Sequence, residues 1–118
     1  MRYYDVAIAI KKTDFAILKE RVQAIKDEKL AQLVGKLMES ADTVHFKPHA
    51  DGFMFISWYD IDWNEDFIQI KYIMDFLNEI KEYSFVKNAT DDDSEQPVII
   101  NNAGYYLLGI DRSIYYGT

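Results

Sequence analysis

The stretch FMFISWYDIDWNEDFIQIKYIMDFLNEIKEY, residues 53–83, changes its hydrophobic period once, and that change decides the fold class. Phe53 to Asp60 is apolar on both alternating faces, the pattern of a central strand rather than an edge. From Asn64 the period lengthens. Phe67, Ile70, Ile73, Met74, Leu77 and Ile80 recur at helical spacing, which predicts a helix capped by Asn64 and running to about Tyr83. A strand feeding directly into an amphipathic helix is half of a βαβ unit.

Upstream, the pattern repeats. Tyr3 to Ile10 reads as a strand, with Val6, Ile8 and Ile10 alternating with Asp5, Ala7 and Ala9. Thr13 or Asp14 is placed to cap the next helix. Phe15, Leu18, Val22 and Ile25 form one stripe; Leu30, Leu33, Val34, Leu37 and Met38 form another, out of phase with the first. A break near Asp27, with Asp27 as a second N-cap, reconciles them. Thr43 to Lys47 is a short strand closed by Pro48, and Asp51-Gly52 is a hairpin signal. Downstream, Phe85 to Ala89 is a strand. Thr90 to Gln96 is an acidic loop. Val98–Asn101 and Tyr105–Ile110 suggest a hairpin around Asn102-Ala103-Gly104, with Ile114 to Tyr116 extending it.

The expected fold is therefore one α+β domain over residues 1–118. It has a mostly antiparallel sheet with helices on one face, and a split βαβ order plus a C-terminal hairpin. That layout resembles ferredoxin-like folds, and the resemblance is one of architecture, which licenses no function.

The chain is 49% hydrophobic and 15% aromatic, with no cysteine. A domain of this size folds without disulfides or metals, and thiolate chemistry is excluded. Thirteen basic and 20 acidic residues give a net charge of −7. The imbalance is uneven: residues 1–50 carry a net +2 and residues 51–118 a net −9. An acidic surface repels phosphate backbones, so direct nucleic-acid binding is not expected and a basic protein partner is. The opening MRYYD lacks the apolar stretch of a signal peptide, and the longest apolar run is far short of a membrane span. A cytoplasmic protein without membrane contact is expected.

Catalytic signatures are missing: no nucleophile elbow, no phosphate-binding glycine loop, no zinc-protease motif. Asp60-Ile61-Asp62-Trp63-Asn64 mimics the start of a calcium loop. Glu65 stands where that loop needs glycine, however, and Lys71 where it needs a bidentate glutamate. These acids instead suit a helix N-terminus. His45 and His49, the only histidines, could serve as acid–base groups beside Asp51, Asp60 or Asp62, but Pro48 breaks the strand between them. No catalytic residue, metal or cofactor is assigned.

The expected binding residues are of two kinds. Tyrosines come in doublets, and alternation turns one member of each outward. The aligned outward set is Tyr3, Asp5, Tyr59 and Tyr105, beside the small residues Ala7, Ala9, Ser57 and Gly109. Such residues either serve strand propensity alone or form an interface. Acidic residues form two groups: Asp60, Asp62, Glu65 and Asp66, then Asp91, Asp92, Asp93 and Glu95. They are either solvated loops or a surface for a basic groove.

The leading expectation is a non-catalytic protein-binding module. Its sharpest form is an acidic inhibitor of a nucleic-acid-handling protein, of the kind mobile elements such as phages carry. The alternatives are a small-ligand or nucleotide-binding domain and a small enzyme using His45 and His49. Extra apolar residues on the second long helix (Ile68, Tyr72, Phe76, Tyr83) fit either packing on two neighbours or a homodimer contact.

Overall fold

The computed structural model describes residues 2–44, 52–90, 95–102, 108–111 and 113–116. The elements run β1 (Tyr4–Lys11), α1 (Lys12–Gln23), α2 (Glu28–Glu39), β2 (Asp42–Val44), β3 (Phe53–Ile61), α3 (Ile68–Ile80), β4 (Tyr83–Ala89), β5 (Val98–Asn101), β6 (Leu108–Asp111) and β7 (Ser113–Tyr116). Five strands form one antiparallel sheet in the order β2-β3-β1-β4-β5. The α1–α2 crossover carries the chain from β1 past β3 to β2, and α3 carries it from β3 past β1 to β4. These two interlocked split βαβ units are the layout that the sequence suggests, with β5 added at one edge.

Strand alternation sorts the sheet into two faces. Val6, Ile8 and Ile10 of β1 stand opposite Trp58, Ile56 and Met54 of β3 and Lys87, Phe85 and Tyr83 of β4. This face carries the helices: Leu18 of α1, Leu37 of α2 and Ile70, Ile73, Phe76 and Leu77 of α3 join it in one core. Burying each such side chain contributes roughly 1.5–3 kcal/mol. Phe76, outside the main stripe of α3, is buried beneath the Arg21 guanidinium, whose carbon lies 5.4 Å from the ring centroid. The extra apolar residues of α3 thus mostly serve packing on its neighbours; Ile68 stays exposed.

The opposite face is also covered. Ala7, Ala9, Phe55, Ser57, Ser84 and Val86 are all buried. The β6–β7 hairpin packs over β1 and β4 without joining their ladder. The small residues Ala7, Ala9 and Ser57, expected beside an outward tyrosine set, therefore lie in a covered layer. The hairpin itself also differs in composition from the expectation. Val98–Asn101 pairs with β4, and the C-terminal hairpin forms between β6 and β7. Ile100, facing the core opposite Phe85, gains more by extending the main sheet than by pairing locally.

Local chemistry explains the element ends. Asp27 caps α2 as expected, its Oδ1 accepting from Leu30 N–H at 2.9 Å. By contrast, α1 starts at Lys12, and no side chain caps it. α3 starts at Ile68, three residues later than a cap at Asn64 implies; Asn64 Oδ1 instead accepts from Asp66 N–H at 2.9 Å, closing the turn before the helix. Gly52 enters β3 with φ +95°, a conformation that favours glycine.

Candidate functional site

One end of the sheet gathers most of the chemistry. The start of β1 lies between the ends of β3 and β4, and the β3–α3 loop, residues 62–67, crosses beneath it. The ladder contains a bulge here. Tyr4 pairs with Ile61 and Val6 with Trp58, so Tyr59 and Asp60 together oppose the single residue Asp5. Asp60 takes φ +56°, and Asp5 Oδ1 accepts its backbone N–H at 2.9 Å. Thr90 completes the tie. Its N–H donates to the Tyr3 carbonyl at 3.1 Å. Its hydroxyl lies 3.2 Å from both that carbonyl and Asp60 Oδ1, and donates to one at a time. Bulges of this kind bend a strand and re-aim its side chains. Tyr59 is left 53% exposed.

Trp63 anchors the loop from below. It is buried, with its ring 5.2 Å from that of Trp58 and 6.2 Å from that of Phe85. Its Nε1 has no hydrogen-bond acceptor among the described residues. Above it lies a cleft of about 500 Å³, lined by Arg2, Tyr4, Asp62, Trp63, Asn64, Glu65 and Phe67. A second concavity, about 370 Å³, shares Phe67 and continues along Asp66, Ile68, Lys29 and Leu33.

Two cations of this end, Arg2 and Lys87, are engaged by acids of the same end. Arg2 sits 3.2 Å from Glu95 Oε2. That oxygen is buried without a well-aligned hydrogen bond, so the contact is Coulombic. Glu95 Oε1 accepts from the Tyr4 hydroxyl at 3.1 Å. Burial first, then Glu95, pushes the Tyr4 pKa up. Lys87 lies 4.9 Å from the centroid of the Tyr4 ring and 3.5 Å from Glu65 Oε2. Asp62, half-buried in the cleft wall, and the exposed Asp66 have no ion-pair partner among the described residues.

Of the expected binding residues, the fold brings Tyr3, Asp5, Tyr59, Asp60, Asp62, Glu65, Asp66 and Glu95 to this one end. Asp91, Asp92, Asp93 and Tyr105 lie outside the described residues, as do His45 and His49. Arg2, Tyr4, Trp63, Lys87 and Thr90 escape the sequence reading. Lys87 alone leaves a signal, since it falls on the inward register of β4 after Tyr83 and Phe85.

No family model, curated protein or solved structure matches this chain. Function has to be argued from the site itself. Among the described residues no three His, Cys, Asp or Glu side chains are grouped to hold a metal ion, and no helix is long and apolar enough to cross a membrane.

Proposed function

We propose that this protein is a non-catalytic protein-binding module that presents the acidic end of its sheet to a basic partner. One observation carries the reading. Tyr3, Tyr59, Phe67 and Ile68, large side chains left exposed, stand at the same end as Asp60, Asp62, Glu65 and Asp66. Large, stiff, part-polar residues supply binding energy in interfaces, and surrounding charge of one sign speeds encounter and selects the partner's sign. Three cations, Arg2, Lys87 and Lys29, do not cancel six acids: Asp5, Asp60, Asp62, Glu65, Asp66 and Glu95. An inhibitor of a nucleic-acid-handling protein is the sharper form, with carboxylates taking the place of phosphates in a basic groove.

The test uses the protein as bait in nuclease-treated lysate, at low and high salt, beside the variant Asp60→Asn/Asp66→Asn/Ile68→Ala. Basic proteins held at low salt by the native bait, and lost from the variant, are expected. Added duplex DNA or RNA should displace them if the inhibitor form holds. Equal retention on both baits would remove this surface from consideration.

A further inference from the structure

We infer that the cleft walled by Tyr4, Trp63 and Phe67 is an anchoring pocket for an arginine side chain of the partner, with Asp62 as its counter-ion. This deepens the protein-binding proposal and rests on it.

Three features of the cleft select a guanidinium. First, three of its lining side chains, Tyr4, Trp63 and Phe67, are aromatic. A planar, weakly hydrated guanidinium stacks on such rings better than an ammonium does. The site already holds one cation this way: Lys87 over Tyr4. Second, the available charge is negative. Arg2 and Lys87 are taken up by Glu95 and Glu65, so neither is free to draw in an anion. Asp62 has no such cation among the described residues, and half-burial strengthens any charge pair it makes. Third, the indole N–H of Trp63 is buried without an acceptor among the described residues, and an unsatisfied buried donor is unfavourable. At about 500 Å³ the cleft has room for main chain beside the arginine, and binding that turns the edge of the Trp63 ring toward the cleft would give this donor a peptide carbonyl as acceptor. Phe67 joins the cleft to the concavity beside Ile68 and Leu33. The occupant is therefore a segment in which an apolar residue follows the arginine closely.

The experiment titrates the isotope-labelled protein with capped peptides acetyl-Gly-X-Gly-Leu-amide, where X is arginine, citrulline or lysine. The readouts are the Trp63 indole N–H and the Asn64 side-chain amide resonances. The arginine peptide is expected to shift both saturably, with the indole moving downfield. Citrulline, which keeps the shape and loses the charge, should bind about tenfold more weakly or not at all, as should lysine. Asp62→Asn should weaken the arginine peptide by about tenfold, with its spectrum elsewhere unchanged. If that variant does not fold, Phe67→Ala, at an exposed position, is expected to weaken binding instead. Equal binding of citrulline, no saturable shift, or undiminished binding to Asp62→Asn would overturn the arginine pocket. Lysine binding as well as arginine would overturn the choice of a guanidinium. Failure of every peptide alongside salt-sensitive capture that the Asp60/Asp66/Ile68 variant loses would sink the cleft and leave the acidic surface standing.

Discussion

Asp5 and Asp60, two acidic residues 55 positions apart, are held together by a hydrogen bond from the Asp60 backbone N–H to Asp5 Oδ1 at 2.9 Å. Like charges so close would be unfavourable but for this bond and the Thr90 hydroxyl near Asp60 Oδ1. The bond fixes a bulge in which Asp60 adopts φ +56°. A non-glycine residue pays roughly 1–2 kcal/mol for that backbone. Asp60→Gly is therefore expected to be more stable than Asp60→Ala by about 1 kcal/mol. Asp5→Ala should lose about 1–2 kcal/mol, and Asp5→Asn less, because its carbonyl can still accept. Urea midpoints of the four variants check this. If Asp60→Ala matches or exceeds Asp60→Gly, the left-handed backbone is not what limits this position.

The Leu37 carbonyl, near the end of α2, accepts two hydrogen bonds. One comes from Ser40 Oγ at 2.8 Å, the other from the buried Trp58 Nε1 at 2.8 Å. The second ties the helix to the middle of the sheet. Trp58→Phe should cost about 1 kcal/mol through the lost bond, plus the lost ring volume. Ser40→Ala should cost less. The pair should be non-additive, because the first substitution leaves the carbonyl one donor and the second leaves it none. A double-mutant cycle by chemical denaturation reads the coupling. Strict additivity would mean that water replaces either donor freely.

The strand and helix periods of residues 4–11 and 53–80 made the βαβ order legible, because one buried face per element leaves a strong periodic trace. Asp27 was legible as a cap for the same local reason. The partner of β5 was not: Val98–Asn101 has the pattern of a strand, and nothing within it says which neighbour it joins. The cover over Ala7, Ala9 and Ser57 was equally hidden. Small residues fit an open surface or a close approach by another layer, and only the long-range path of β6–β7 decides. At the site, the run of acids from Asp60 to Asp66 is legible in the sequence, but the cations that face such acids are not. Arg2 reaches Glu95, and Lys87 reaches Glu65, across the fold rather than along the chain.

Arg21 of α1 makes a two-pronged contact with Glu79 of α3, at 2.6 and 2.9 Å. The hydrogen bonds from Arg21 are the main reason that the Glu79 carboxyl is held below its ordinary value; desolvation opposes them, and Coulombic attraction adds to them. A carboxyl with a depressed pKa in the folded state stabilises that state above its unfolded pKa, and the stabilisation disappears as pH falls through the folded value. The stability gap between the native protein and Glu79→Gln is therefore expected near neutral pH and should close in acid, below the usual carboxylate range. Both groups are well exposed, so added salt should shrink the gap as well. Urea midpoints across that pH range provide the check. A gap that persists in acid would assign it to packing of Arg21 on Phe76 rather than to charge.

Lys81 ends α3 with φ +66°, its N–H donating to the Leu77 carbonyl at 3.0 Å. The left-handed turn is what sends the chain back into β4 two residues later, so the position tolerates no relaxation to ordinary backbone. Glycine adopts this conformation without steric penalty and is the usual residue just past a helix. Lys81 is exposed, and no salt bridge among the described residues involves it. Lys81→Gly should therefore raise stability by about 0.5–1 kcal/mol, after allowing for the greater chain entropy glycine loses on folding. Lys81→Val should lower it, because a β-branched side chain fits this backbone worst. A melting-temperature series of native, glycine and valine proteins orders the three. Valine at or above the native value would show that the turn is set by the β4 pairing alone and that the residue at its corner is indifferent.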